Sequence, residues 1–293
     1  MYVITGATGN TGKSIVLGLL EAGKKVRIIS RSKEKAKDLT EEGAELFEGN
    51  SDDVALLKKA FDGADSVYAM LPMTMQAEDV SGTRLKHINA ITDALKTSSV
   101  KNVVSLSSVG ADLNSGTGIV LDLHKMEQSL NTVEGLNVLH LRPSFFMENA
   151  FMAIGGIKEM GIMPGVLNED IAIPAIATSD ISKYAVKRLL ALDFEGRNVQ
   201  YLYGANDVSY PDMAKVFGTA IGKPDLQYVK IGYDDLKQAL LGMGASQSLG
   251  NSMCEFFEAV NTGKVSAPER DSENAQPTSI EDFAPTFKHV YNM

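Results

Sequence analysis

Short apolar, partly β-branched runs alternate with amphipathic stretches through the first 142 residues. Tyr2 to Thr5, Lys25 to Ile29, Glu45 to Glu48, Ser66 to Met70, Asn102 to Leu106 and Asn137 to Leu141 predict strands. Between them, apolar positions recur at helical spacing near residues 11–22, 33–42, 53–60, 80–98 and 119–133. Ile15, Val16, Leu19 and Leu20 share a face in the first of these, and Leu85, Ile88, Ile91 and Leu95 in the fourth. Strands apolar on both faces are covered on both faces. The alternation therefore predicts an α/β fold, a Rossmann-type doubly wound parallel sheet with helices on each side.

After Arg142-Pro143 the period is lost. Residues 144–177 are rich in Phe, Met, Ile, Gly and Pro, as in a loop-rich lobe folding over a site. Helical spacing returns at Asp180 to Leu192, with Ile181, Tyr184, Ala185 and Leu189 on one face. A strand near Val199 to Tyr203, a helix over Tyr210 to Ile221 and a strand near Leu226 to Lys230 follow. Two further helices are predicted around 233–243 and 246–261, the latter with Met253, Phe256, Phe257 and Val260 on a stripe. Residues 262–278 are polar and predict an exposed loop. Ser279 to Asp282 forms a capping-box pattern, and Pro285 predicts a break or kink beyond it. The expected division is a dinucleotide-binding domain over 1–150 and a smaller substrate lobe over 151–293. The lobe is interleaved with the first domain, to which residues near 178–203 return.

The first predicted strand runs into Gly6-Ala7-Thr8-Gly9-Asn10-Thr11-Gly12 and then a helix. Strand, glycine turn and helix together open a dinucleotide-binding unit, in which a diphosphate rests on the free N–H groups of the helix start. Gly6 permits the tight turn, Gly9 the approach of backbone to phosphate and Gly12 the packing of helix on strand. Thr5, Thr8, Asn10 and Thr11 add polar groups around the turn.

An NAD enzyme commonly ends its second strand with an acid that accepts from the ribose 2′-hydroxyl. Here the stretch is Arg27-Ile28-Ile29-Ser30-Arg31-Ser32-Lys33, which has none. Arg31 offers a planar fork to a 2′-phosphate, with help from Ser30 or Lys33, so NADP(H) is expected in preference to NAD(H). Asn50, after the third strand, stands where an amide meets the adenine edge, and equally where turns favour Asn. Asp52 or Asp53 caps the next helix. Leu71-Pro72, after the fourth strand, stands where it would lie against the ribose and nicotinamide, and equally reads as an apolar strand end.

Composition narrows the alternatives. A net charge of −9 without a basic block tells against direct nucleic-acid binding. The single cysteine, Cys254, excludes an internal disulfide and sits among Met253, Phe256 and Phe257 as a buried thiol would. The four histidines show no metal-ligand spacing, so no metal site is expected. A strand beginning at residue 2 leaves no room for a signal peptide and no apolar run reaches membrane-spanning length. The expected location is cytoplasmic, without a membrane role.

The glycine loop, Arg31, Leu106-Ser107-Ser108-Val109-Gly110-Ala111, Lys125-Met126-Glu127 and Arg142-Pro143-Ser144-Phe145-Phe146-Met147-Glu148-Asn149 together resemble the NmrA-like branch of the atypical short-chain dehydrogenases. Pro277 to Ala284 resembles that group's C-terminal segment. The resemblance implies either an NADPH-dependent reductase of quinone-like, azo or other small aromatic acceptors, or a non-catalytic NADP(H) sensor acting through a regulatory protein partner. It leaves room for a homodimer. The wider superfamily reduces carbonyls with a Tyr-x-x-x-Lys pair, but four residues before Lys125 stands Leu121. With the tyrosine missing, a quinone-type acceptor is favoured over a simple ketone, because its reduced oxygen takes a proton from water. Lys125 is then expected to hold the nicotinamide ribose or a developing oxyanion, with His124 as a candidate proton donor and Ser107 as a candidate hydroxyl at the nicotinamide. Pro143 and Phe145 are placed against the cofactor, and Phe146, Met147 and Asn149 on an aromatic, thioether and amide wall for a flat acceptor, or equally in the core.

Overall fold

A computed structural model describes residues 1–293. The first half alternates strictly: β1 (Tyr2–Ile4), α1 (Asn10–Glu21), β2 (Val26–Ser30), α2 (Lys33–Glu41), β3 (Glu45–Glu48), α3 (Val54–Phe61), β4 (Ser66–Ala69), α4 (Val80–Lys96), β5 (Asn102–Leu106), α5 (Leu121–Asn131) and β6 (Asn137–Pro143). A 3₁₀ turn over Gly118–Val120 leads into α5, and another over Met147–Ala153 leads into α6 (Ile154–Glu159). Then come β7 (Ile162–Gly165), α7 (Thr178–Ala191), β8 (Arg197–Leu202), α8 (Tyr210–Ala220), β9 (Gln227–Lys230), α9 (Tyr233–Gly242), α10 (Gln247–Asn261) and α11 (Ile280–Tyr291).

Seven strands form one parallel sheet in the order β3-β2-β1-β4-β5-β6-β8. The order reverses between β1 and β4, and that switch point opens the crevice at the carboxyl ends of the strands. Successive residues of a strand point to opposite faces. Thus Val3 and Val103 pack with Leu57, Phe61, Ile88, Ile91 and Leu130 from α3, α4 and α5, whereas Ile4 and Val104 pack with Ile15, Leu19, Ile181 and Leu189 from α1 and α7. A third core, built on Phe217, Phe257, Phe283 and Phe287, holds the C-terminal elements around the small parallel pair β7-β9. No helix is long and apolar enough to cross a membrane.

Three expectations are corrected. Leu85 is 42% exposed, and the buried stripe of α4 runs instead through Val80, Arg84, Ile88, Ile91 and Leu95. Helix α11 continues through Pro285 without a break. A proline in a helix interior costs about 3 kcal/mol, but burial of Ile280, Phe283, Ala284 and Phe287 outweighs it, with the Phe287 ring stacked 4.1 Å from Phe217. Residues 144–177 contain α6 and β7 as well as loops. The segment 262–278 is the expected loop, largely exposed, with Val265 and Asn274 buried and its first part roofing the cleft described below.

His140 in β6 is 1% exposed, bonded to Ser105 at 2.7 Å and to Asn131 at 3.0 Å. Burial lowers its pKa from 6.5 to about 4, against the charge of Glu127. The unfolded chain therefore takes up this proton first, so the contribution is intact above pH 6.5 and lost progressively as pH falls towards 4. It amounts to roughly 3 kcal/mol. Denaturant midpoints measured from pH 7 to pH 4 are expected to fall, and His140→Gln to flatten the slope.

Candidate active site

The glycine turn is held tight by its own backbone. Gly6 has φ +63°, and a Cβ at Gly12 would lie 2.1 Å from the Gly6 carbonyl oxygen. Gly9 caps α1 in an extended conformation with no capping side chain and no acid in the first turn. The amides of Asn10, Thr11 and Gly12 therefore meet no intrahelical acceptor and point out of the helix start, where the dipole favours an anion. Thr8 and Asn10 are exposed beside them. Thr11 brings only its backbone, because its side chain is buried, accepting from the Tyr68 hydroxyl at 3.2 Å. That corrects its expected role as a polar contact.

At the end of β2, Arg31 is exposed and makes no hydrogen bond or ion pair within the protein. Ser30 closes the turn onto Ser32, and Lys33 pairs with Glu48 at 3.1 Å on the surface. Arg31 is thus the free cation of this corner. Asn50 is half-buried with its amide unpaired, and Asp53 rather than Asp52 caps α3. Neighbouring Ser51 bonds His87 of α4 at 2.9 Å, whose pKa is lowered by burial.

Beyond β4, β5 and β6 lies a cleft of about 1040 Å³. Met70 to Met73 line it from β4, Leu106 to Val109 from β5, and Ser144, Phe145, Phe146 and Asn149 from β6. Leu71, Pro72, Ser107, Phe145, Phe146 and Asn149 thus meet at one place. Phe145 stacks on Phe256 of α10 at 5.5 Å, and the loop 262–270 closes the far side. Two expected residues are elsewhere. Met147 is 2% exposed in the C-terminal core, because the 3₁₀ turn that starts there rotates it inward. Pro143 ends β6 as a buried residue whose carbonyl accepts from Val109.

Helix phase decides what α5 gives to the cleft. Ile119 and Val120 of the 3₁₀ turn before it and Leu123 of α5 line the cleft, all apolar. Residues one and two positions on are turned away by about 100° and 200°. His124 accordingly bonds the Ala111 carbonyl at 2.9 Å, and the Lys125 ammonium donates to Ser81 at 2.8 Å and Asp122 at 3.1 Å. Neither lines the cleft: both are held by these partners at its margin. Ser107 does line it, but donates its proton to Glu127 at 2.5 Å. Glu127 is also gripped by Arg142 through two bonds, at 2.9 and 2.6 Å. Burial opposes the charge on Arg142, yet the hydrogen bond and charge of Glu127 outweigh it and hold its pKa above the usual range.

The NmrA-like family model matches residues 2–284. The chain belongs to the NmrA-like family. A curated relative, the NAD(P)H azoreductase of Xenophilus azovorans, is 28% identical over 257 residues, covering 88% of this chain and 86% of its own. Among solved structures, an Escherichia coli NADPH-dependent quinone oxidoreductase complexed with NADPH superposes with a TM-score of 0.81 at 20% identity, covering all of both chains. A Citrobacter sp. triphenylmethane reductase complexed with NADP(H) gives 0.79 at 17% identity, over 98% of this chain and all of its own.

Among the polar residues that line the cleft, two buried ones were not singled out from the sequence. Tyr203, just after β8, is fully buried with its hydroxyl unpartnered, and burial raises its pKa. Arg84 reaches in from α4. For Arg84 a signal existed: it falls four residues after Val80 and four before Ile88, a cation on an apolar stripe.

Proposed function

We propose that this chain is an NADPH-dependent reductase of quinone-like and other flat aromatic acceptors. The observation that carries the reading is the apolar cleft directly beyond β4, β5 and β6, on the same sheet edge as the open amides of α1. The Gly6–Gly12 turn fits a diphosphate because it has the room that a Cβ would fill and donors without acceptors. Arg31 is the group that selects the 2′-phosphate, and Asn50 is placed for the adenine edge. When bound, the nicotinamide supplies hydride. The chain's own residues do the rest: Leu71, Pro72 and Ser107 border the nicotinamide region, Phe145, Phe146 and Phe256 hold a flat ring, and the 262–270 roof excludes water. The names of the azoreductase and the quinone oxidoreductase support the same chemistry.

The apolar face of α5 also supports a second reading, a sensor that binds NADP(H) and acts through a protein partner. One assay separates the two: NADPH consumption with a panel of quinones, azo dyes and enones. Turnover above the uncatalysed rate is expected with at least one class. Saturable NADPH binding without such turnover would leave the sensor. Arg31→Ala is expected to weaken NADPH binding by about 10- to 100-fold, the worth of a charge-assisted pair, and to leave NADH binding unchanged. Calorimetric titration with both dinucleotides checks this.

A further inference from the structure

We propose that Arg84 receives the acceptor's oxygen, so that the cleft is built for carbonyl-type acceptors, quinones and enones, whose oxygen gains charge on reduction. The inference rests on the reductase reading of the same cleft. Arg84 is 6% exposed, on the buried stripe of α4, and lines the cleft beside Ile119, Val120 and Leu123. A guanidinium carries five N–H donors and stays charged in proteins. Within this chain Arg84 makes one hydrogen bond, from Nη1 to the Ile119 carbonyl at 3.0 Å. The nearest carboxylate oxygen, Asp122 Oδ2, is 3.6 Å away, beyond hydrogen-bond reach. Nε is buried with no partner.

The shortage is not made up by neighbours. The other oxygen of Asp122 already accepts from Ser81 at 2.6 Å and from Lys125 at 3.1 Å. Two cations thus share one buried carboxylate, and the cluster keeps a surplus positive charge. His87, one turn further along α4, adds none in its neutral form, and burial favours that form. A buried guanidinium with most donors unused is costly unless a ligand oxygen completes it. Its place matters equally: it is anchored to the carbonyl of Ile119, at the entry to α5, the helix that turns no donor of its own into the cleft.

The chemistry balances without a protein acid. Reduction delivers hydride to the acceptor and leaves the electron pair of the broken π bond on the acceptor's oxygen. Water supplies the proton that completes the hydroquinone or enol, and the nicotinamide is left oxidised. A fixed cation with free N–H groups stabilises that oxyanion as it forms. Arg84 does not give up a proton, so its part is electrostatic.

The test compares wild type with Arg84→Met, close in length but uncharged, and with Arg84→Lys, which keeps the charge and loses the fork. Arg84→Met is expected to lower kcat for quinones by about 100-fold, the usual effect of removing one oxyanion donor, with NADPH affinity unchanged. A second readout needs no turnover. 4-Nitrophenol, titrated into protein saturated with NADP⁺, changes colour on ionisation. Wild type is expected to bind the phenolate and lower the probe's pKa by about one unit or more, an effect that opposite charge at close range produces. Arg84→Met is expected to abolish that shift, and Arg84→Lys to keep part of it. Wild-type colour and affinity in Arg84→Met, or in Arg84→Gln should the methionine variant not fold, would overturn the proposal. If wild type turns over no acceptor, the reductase reading fails, and the nitrophenolate shift still decides whether Arg84 is an oxyanion site.

Discussion

Gly12→Ala is expected to abolish high-affinity NADPH binding. The added methyl would stand 2.1 Å from the Gly6 carbonyl oxygen and 2.9 Å from the Ala7 Cα, both backbone, so no side-chain rotation relieves it. Either α1 moves away from β1 or the turn opens. Both displace the amides of Asn10, Thr11 and Gly12 from a common anion. Overpacking of this kind costs about 1 to 3 kcal/mol in stability. The loss in affinity is expected to be larger, at least about 100-fold, since three aligned donors are disturbed together. Gly9→Ala is the control: its Cβ would sit 3.3 Å from the same oxygen, a contact relieved by a small shift, and it is expected to bind more tightly than Gly12→Ala. Calorimetric titration of both variants, with melting curves to show that they fold, checks the ranking.

Glu127→Leu is expected to produce the largest loss of stability. Glu127 is 2% exposed and accepts two bonds from Arg142 and one from Ser107, so its removal leaves a guanidinium and a hydroxyl stranded under the cleft. Breaking a buried pair from one side costs about 3 to 5 kcal/mol. In a chain of this size that lowers Tm by on the order of 10 °C. Asp112, 3.8 Å from Arg142 and half exposed, offsets little of it. Arg142→Met in the same chain is expected to recover part of the loss, because an apolar pair leaves no charge buried. A double-mutant cycle on Tm and denaturant midpoints measures that coupling. A double variant no more stable than Glu127→Leu would contradict this account of the pair.

The large sheet was legible because its strands are parallel and covered on both faces, which writes each as a short continuous apolar run between amphipathic stretches. The glycine turn was legible for a local reason: backbone geometry there excludes a side chain, whatever packs around it. The rest depends on contacts remote in sequence. Whether α11 survives Pro285 is decided by Phe217, nearly seventy residues earlier. The orientation of α5 is set by the turn before it, where Gly118 at φ +52° lets α10 pack so closely that a Cβ would fall 1.9 Å from the Ser252 carbonyl. On α4 the error was a single residue: Leu85 is the more apolar side chain, yet Arg84 holds the buried position, beside the Ile119 carbonyl and the buried Asp122, both remote in sequence. The 262–278 segment was legible as an exposed loop, but its place over the cleft was not, because that depends on Arg270 bonding Gly204 and Asp207, more than sixty residues earlier.

The claim beneath all of this is that the amino-terminal turn cradles a dinucleotide diphosphate and that Arg31 chooses its phosphorylated form. Equilibrium titration of the purified protein with NADPH and, in parallel, NADH tests it most directly. A saturable one-to-one complex with NADPH, tighter than that with NADH by about tenfold or more, is the expected result. Absence of a saturable complex, or equal affinity for the two dinucleotides, would contradict it.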